Sequence, residues 1–187
     1  MEPQAGGQAR ELQVRPDEIP DSGLELELVQ GPEILEAYIP REAGFELLEP
    51  VRSQFSLRRR GREVAVSGWV RTTLALPCDR CLADVVQPVD RRVETVFVPH
   101  PKVPEGGQIE LTEKDLEVEF YGPEGVIDLG EVIAEELALA LPSKTLCNAA
   151  CKGLCPDCGA NLNAEECHCP PKACDPRLAV LKDFKTD

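Results

Sequence analysis

The sequence predicts an α+β fold in which an antiparallel β-meander of about five strands packs against one helix and is followed by a cysteine-rich tail. Three observations support this class. Apolar and polar residues alternate with a period of two over several stretches between residues 24 and 120, which is typical of an antiparallel sheet with one solvated face. Residues 129–141 instead repeat apolar side chains at helical spacing. Seven of the nine cysteines lie between Cys147 and Cys174.

The strand prediction depends on this alternation and on the turns that interrupt it. Leucine alternates with glutamate early in the chain, and valine or leucine alternates with polar residues later. The run Arg59-Arg60-Gly61-Arg62 supplies a turn, with Gly61 able to adopt a left-handed conformation. The predicted strands cover residues 24–28, 51–58, 63–76, 84–98 and 116–120.

The predicted helix has signals at both ends. Asp128 is placed to cap it, Glu131 follows at capping-box spacing, and Pro142 ends it. A short second helix is expected from Asp175-Pro176, because proline is favoured in a first turn. We therefore divide the chain into a flexible N-terminal arm (1–23), a sheet-and-helix core (24–146), and a cysteine-rich tail with a short helix (147–187).

Composition excludes several classes of protein. The chain has 187 residues and a net charge of −14, and no apolar run approaches the roughly 20 residues of a membrane span, so no membrane association is expected. A hydrophobic content of 42% is too high for a disordered acidic chain. The first residues lack the basic and apolar regions of a secretory signal, which predicts a cytoplasmic protein.

Charge is unevenly distributed along the chain. Residues 51–92 contain nine arginines and four carboxylates, a net charge of +5 within an acidic protein. Arginine suits bidentate phosphate contacts and stacking on bases, so this segment is a candidate nucleic-acid contact, although a solvated strand face explains the same pattern. The candidate nucleic-acid-binding residues are Arg52, Arg58, Arg59, Arg60, Arg62, Arg71, Arg91 and Arg92.

The first cysteine pair, Cys78-Asp79-Arg80-Cys81, falls between the two longest predicted strands. A C-x-x-C turn at a hairpin tip directs two sulfurs toward one metal, as in a zinc knuckle. The same spacing occurs in thioredoxin-like redox sites, but those require a helix to begin at the motif. Because thiols in the cytoplasm are kept reduced, dense cysteines favour metal over disulfides.

The tail contains a second knuckle, Cys155-Pro156-Asp157-Cys158-Gly159, and a Cys167-x-Cys169 pair that can complete a tetrahedral site with it. Five cysteines remain, of which four can form a second site that joins the helix to the sheet, with Cys174 left over. The sequence thus predicts about two structural zinc ions per chain, although a foursome that includes His168 or Cys174 is an alternative. The predicted ligands are Cys78, Cys81, Cys147 and Cys151 at one site, and Cys155, Cys158, Cys167 and Cys169 at the other.

Taken in order, these motifs resemble the YceD family, also known as domain of unknown function 177. The resemblance covers about residues 20–184 and includes Ile127-Asp128-Leu129, Cys151-Lys152-Gly153-Leu154-Cys155-Pro156 and Asp175-Pro176-Arg177-Leu178. It implies a role in the accumulation of large-subunit ribosomal RNA, through synthesis, processing or stability. Some members of that family lack the knuckle of Cys155 and Cys158 but keep a C-x-x-C in the middle and a His/Cys pair after the helix. Carried over to this sequence, the resemblance implies a site at Cys78, Cys81, Cys147 and Cys151.

Three functional classes compete. The leading hypothesis is a non-enzymatic ribosome-biogenesis factor whose partner is large-subunit ribosomal RNA, through the arginines, or a basic ribosomal protein attracted by the acidic surface. A zinc-ribbon adaptor in transcription is the second, although Cys81 and Cys147 are far apart for a compact ribbon. A thiol- or zinc-dependent enzyme is the third, but no catalytic triad, open histidine-rich site or phosphate loop is present, and no small-molecule substrate is expected.

Overall fold

The computed structural model describes residues 12–32, 38–39, 44–101, 118–122 and 125–170. Strands make up most of the regular secondary structure of these residues, and one α-helix packs beside them, so the α+β class is confirmed. The strands are β1 (Gln13–Val14), β2 (Leu24–Gln30), β3 (Glu46–Leu47), β4 (Val51–Arg60), β5 (Glu63–Pro77), β6 (Asp84–Pro99), β7 (Glu119–Tyr121) and β8 (Ile127–Asp128). The helix, α1, spans Leu129–Ala140, and a short 3-10 turn covers Pro16–Glu18.

The main sheet has six strands in the order β2-β4-β5-β6-β7, with β3 also paired to β5. The expectation of an antiparallel meander of about five strands is therefore only partly correct. β3 and β4 pair with the same edge of β5 and are separated by residues 48–50, so one strand position holds a two-residue strand followed by a ten-residue strand. β7 pairs with β6 in parallel, which the long connection at 100–118 allows because parallel strands need a crossover of about a dozen residues.

The alternation in the sequence corresponds to burial in the structure. Along β4 and β5, every second side chain faces α1 and the core, and Phe55, Leu57, Val64 and Val70 are fully buried. Each such side chain stabilises the fold by roughly 1.5–3 kcal/mol relative to an exposed position. The opposite face of the sheet, which we call the open face, carries most of the polar residues of these strands and several of their arginines.

α1 begins and ends where the sequence predicts. The Asp128 carboxylate accepts a hydrogen bond of 2.9 Å from the Gly130 amide, and Leu141 caps the other end directly before Pro142. Val132, Ile133 and Leu137 are buried against the sheet. In the described residues, α1 is far too short to cross a lipid bilayer, and no other helix there is long and apolar enough.

The N-terminal segment differs from the prediction of a loosely attached arm over residues 1–23. β1 pairs with β8 beside the start of α1, and Leu12, Val14 and Ile19 are 0%, 5% and 1% exposed, so these residues belong to the core. Three apolar residues spaced among polar ones give too short a pattern to recognise, and their partner Ile127 lies far along the chain. Residues 1–11 and the helix expected at Asp175 lie outside the described residues.

Candidate metal centres and the arginine-bearing sheet face

The two C-x-x-C segments adopt the same turn. In the first, the Cys78 amide donates to the Ala83 carbonyl at 2.8 Å and the Leu82 amide donates to the Cys78 carbonyl at 2.9 Å. In the second, the Cys155 amide donates to Ala160 at 2.8 Å and the Gly159 amide donates to Cys155 at 2.9 Å. Both turns therefore present two sulfurs to one side, the arrangement of a zinc knuckle.

Four cysteines meet where the β5–β6 turn touches the segment that follows α1. We call this group, Cys78, Cys81, Cys147 and Cys151, the hairpin cluster. The Sγ atoms of Cys78 and Cys151 are 3.9 Å apart, and those of Cys81 and Cys147 are 3.6 Å apart. Asp79 holds the β5–β6 turn against the segment that follows α1, because its amide donates to the Thr145 carbonyl and its carboxylate accepts from the Thr145 amide at 2.7 Å. The cluster joins the helix end to the sheet.

The second group, which we call the tail cluster, consists of Cys155, Cys158, Cys167 and Cys169. Sγ of Cys167 lies 3.3 Å from that of Cys155 and 3.6 Å from that of Cys158. This cluster is more exposed than the hairpin cluster, since only Cys155 in it is buried. His168 is exposed and is not part of the foursome, whereas Cys174 lies outside the described residues.

The sulfur positions fit a tetrahedral metal ion. Zn–S bonds of 2.3 Å place the sulfurs of a four-thiolate site about 3.8 Å apart. Four of the sulfur pairs are 3.3–3.9 Å apart, close to that value, and all sulfurs of a cluster lie within 4.8 Å of one another. These distances are far longer than the roughly 2.05 Å of a disulfide bond. Each cluster could therefore hold one metal ion, with no coordination position left for a substrate or water.

The thiols within each cluster differ in acidity. Backbone N–H groups of Arg80 and Cys147 lower the pKa of Cys78 to about 6, and those of Cys158 and Asp157 lower the pKa of Cys155 to about 6. Neighbouring sulfurs act in the opposite direction: those of Cys151 and Cys81 raise the pKa of Cys147 to about 12.

Cys169 behaves in the same way in the tail cluster, where the sulfurs of Cys167 and Cys158 raise its pKa to about 12. Each cluster therefore contains one thiol that ionises readily and another that stays protonated until a cation offsets the neighbouring negative charge. Four thiols packed this closely are costly as anions unless a cation lies among them.

The candidate arginines do not form one surface. Arg52, Arg71 and Arg92 lie on the open face around Trp69: Arg71 is opposite Arg52 on β4, and Trp69 is opposite Arg92 on β6. The Arg71 guanidinium stacks 4.5 Å from the centroid of the Trp69 ring, and Trp69 donates to Gln54 at 3.0 Å. Arg71 also pairs with Asp90 at 3.1 Å, so acidic groups accompany this basic patch.

The other five arginines are distributed elsewhere. Arg58 continues the open face, and Arg60 and Arg62 flank the β4–β5 turn. Arg59 and Arg91 lie on the side of the sheet that faces α1, where Arg91 donates to Glu136 of the helix at 2.9 Å and Arg59 lies 4.0 Å from Asp21. The structure thus separates the Trp69 patch from arginines that serve the fold.

Comparison with known proteins places these features in a family. The family described as "Large ribosomal RNA subunit accumulation protein YceD" matches residues 66–185, which include both knuckles. The chain belongs to the YceD family. Among its relatives, an uncharacterized protein of Mycobacterium tuberculosis is 36% identical over 121 residues, which is 65% of this chain and 55% of the relative.

Two further relatives are chloroplastic proteins named "Large ribosomal RNA subunit accumulation protein YCED homolog 1". The Arabidopsis thaliana protein is 28% identical over 64% of this chain and 44% of its own length, and the Zea mays protein is 29% identical over 62% and 46%. This YceD-family chain therefore spans about half the length of these curated relatives. No solved structure is significantly similar to it.

Sequence reasoning missed residues of this YceD-family site that act on the ligands and are not ligands themselves. Asn163 donates from its side-chain amide to Sγ of Cys151 at 3.3 Å, and Asn148 donates to Sγ of Cys147 at 3.4 Å. The role of Trp69 as the centre of an arginine patch was also not apparent. Single asparagines carry no periodic signal, and the patch forms only when the strand register is known.

Leu82 occupies a backbone conformation that normally favours glycine. Its φ is 60°, and the equivalent residue of the second knuckle, Gly159, has φ 76°. The left-handed conformation costs a leucine roughly 1–2 kcal/mol, and Leu82 is 65% exposed, so little burial compensates for the cost.

We expect Leu82→Gly to raise the free energy of unfolding by about 1 kcal/mol, because strain relief exceeds the added entropy of the unfolded chain. The reciprocal change in the other knuckle, Gly159→Leu, should lower it by a similar amount. Urea unfolding of both metal-loaded variants measures the two changes in the free energy of unfolding. If both substitutions changed the free energy of unfolding in the same direction, the proposed strain at Leu82 would be contradicted.

Proposed function

We propose that this chain is a non-enzymatic factor that supports the accumulation of large-subunit ribosomal RNA, through its synthesis, processing or stability, and that two zinc ions stabilise its structure. Membership of the YceD family is the observation that carries this proposal. The names of the chloroplastic relatives agree with it. Two closed four-sulfur clusters support a structural rather than a catalytic use of metal.

Zinc is the metal that best suits these donors. Thiolates in tetrahedral groups of four are typical of structural zinc sites, and zinc does not itself change oxidation state. The ligands would be the eight cysteines of the hairpin and tail clusters. Bound zinc would supply cross-links between distant segments, and this chain's own hydrogen bonds, such as those of Asp79 to Thr145, hold the ligands in place.

Direct contact with RNA is assigned in this proposal to the open face around Trp69. An aromatic ring and neighbouring guanidinium groups offer stacking surfaces for unpaired bases, and arginine also binds phosphate. Arg52, Arg71 and Arg92 surround the ring, and Arg58 lies further along the same face. Because Glu27 and Asp90 lie on the same face, the contact is local rather than an extended basic surface.

Depletion of the protein in its own cells tests the cellular role. We expect the ratio of large-subunit to small-subunit ribosomal RNA to fall and precursors of the large-subunit RNA to change in amount. Expression of the unaltered chain should restore both. An unchanged subunit ratio after depletion would contradict the proposed function.

Binding of a large-subunit ribosomal RNA fragment at several salt concentrations tests the direct contact. Trp69→Ala combined with Arg71→Ala should weaken binding at least tenfold, since one stacked base is worth about 1–3 kcal/mol. Arg59→Ala is a matched control, because that arginine lies on the helix side of the sheet. Equal affinity of all variants would exclude the Trp69 patch and favour a basic ribosomal protein as the partner.

A further inference from the structure

The two clusters are joined by a short segment that touches both of them. Residues 152–154 connect Cys151 of the hairpin cluster to Cys155 of the tail cluster. On one side, the Leu154 amide donates to the Arg80 carbonyl at 2.9 Å, inside the hairpin knuckle. On the other side, the Leu162 amide donates to the Gly153 carbonyl at 3.0 Å, inside the tail-cluster loop. Three residues therefore belong to the surroundings of both clusters.

The hairpin knuckle holds this segment from its own side as well. The Arg80 guanidinium donates to the Cys151 carbonyl at 2.7 Å. Leu154 packs against the buried sulfurs of the hairpin cluster, together with Val85 and Leu146. Leu154 also forms a β-bridge with Asn161 of the tail loop. Movement of the tail loop thus displaces a residue that packs on the hairpin ligands.

Asn163 provides a second link between the clusters. It lies in the loop between Cys158 and Cys167, whose two ends are members of the tail cluster. Its side-chain amide donates to Sγ of Cys151 at 3.3 Å, and its side-chain oxygen accepts from the Lys152 amide at 2.8 Å. Asn161 orients it by accepting from the Asn163 backbone amide at 3.0 Å and from its side chain at 2.9 Å. A residue of the tail loop therefore orients a ligand of the hairpin cluster.

We propose that the two clusters bind metal cooperatively and that Asn163 is the positioning residue that couples them. With a cation held by the tail cluster, the loop 158–167 would be closed and the Asn163 amide would be kept against Cys151, so the hairpin cluster would be partly ordered in advance. The entropy of ordering the shared segment is then lost only once for two ions, which gives positive coupling. This inference rests on the proposed binding of zinc by both clusters.

The expected coupling is measurable as a ratio of binding constants. The overall constant for two zinc ions on the full chain is compared with the product of the two single-site constants, each determined by competition with a chromophoric chelator. Cys158→Ser with Cys167→Ser leaves only the hairpin cluster, and Cys81→Ser with Cys147→Ser leaves only the tail cluster. We expect the overall constant to exceed the product by about 10–100-fold.

Asn163→Ala is introduced into the full chain and into both serine double variants. The ratio of the overall binding constant to the product of the single-site constants should then fall close to one. Asn148→Ala is the matched control, because Asn148 also donates to a hairpin-cluster sulfur, Cys147, but lies outside the tail loop. Asn148→Ala should weaken the hairpin site by a similar factor, since residues that support a ligand typically contribute 10–100-fold to metal affinity, and it should leave the ratio unchanged.

A second measurement covers the case in which a serine variant fails to fold. Hydrogen exchange of the Leu154 amide, which reports the contact with Arg80, should slow at least tenfold when zinc is added to the unaltered chain, and zinc should slow it less in Asn163→Ala. The coupling alone would be overturned if the chain bound two zinc ions with an overall constant equal to the product of the two single-site constants. It would also be overturned if Asn163→Ala left the ratio of overall constant to product unchanged. A chain that binds no zinc would overturn the coupling together with the zinc sites.

Discussion

Cys151→Ser is expected to release one zinc ion and to disorder the segment that follows α1. Cys151 is 2% exposed, and two of its contacts join the halves of the hairpin cluster: its sulfur lies near Cys78, and its carbonyl accepts from Arg80. Its sulfur also accepts from Asn163 of the tail loop. Structural zinc contributes roughly 10–16 kcal/mol of apparent binding free energy in small domains, and a hydroxyl is a poor zinc ligand.

The expected loss of stability is on the order of 5 kcal/mol, which corresponds to a decrease in Tm of about 10–20 °C for a chain of this size. Elemental analysis should report about one zinc ion per chain instead of two. His168→Ala is the control, because His168 is exposed between two tail-cluster cysteines and outside the foursome. Retention of two zinc ions and an unchanged Tm in Cys151→Ser would show that the hairpin cluster is not a metal site.

Gly68→Ala is expected to destabilise the sheet by more than about 3 kcal/mol, which lowers Tm by roughly 6–12 °C. Gly68 lies at the middle of β5, opposite Phe55 of β4 and Val93 of β6. A Cβ atom at this position would overlap the carbonyl oxygen of Gln54 and lie 3.1 Å from the Cα atom of Phe55. Both are backbone atoms, so the strands must separate to accommodate a methyl group.

Urea unfolding of the metal-loaded protein measures this effect. Ser67→Ala is the matched control, since Ser67 is the adjacent residue but is exposed on the open face, and its stability should change by less than about 0.5 kcal/mol. Similar unfolding midpoints for Gly68→Ala and Ser67→Ala would mean that β4 and β5 tolerate a wider spacing than the one described here.

The sequence was most informative where a local pattern determines the outcome. The long strands β5 and β6 and the helix α1 follow from alternation, periodicity and the cap at Asp128, because burial of one face selects the register. The two cysteine foursomes follow from knuckle spacing and from the position of the knuckles relative to predicted elements. Their geometry matches the predicted partition, and zinc itself stays a prediction.

Features that depend on distant partners were not predictable. β1 becomes a strand only because Ile127 and Asp128 offer it an edge, and β7 joins the sheet in parallel after a long connection. Alternation gives the face on which an arginine lies, but not its neighbours. Arg91 pairs with Glu136 and Arg71 stacks on Trp69, so two arginines of one segment serve different purposes.

The wide separation of the two halves of the hairpin cluster along the chain has a consequence for the order of folding. The local β5–β6 turn is enough to bring Cys78 and Cys81 together, whereas Cys147 and Cys151 reach them only after α1 has docked on the sheet. Closing such a long loop is slow compared with forming a hairpin. An ion captured early would therefore be held by two sulfurs and exchange readily. Completion of the four-sulfur site would therefore follow docking of α1, and undocking of the helix would withdraw two of the four ligands from the ion.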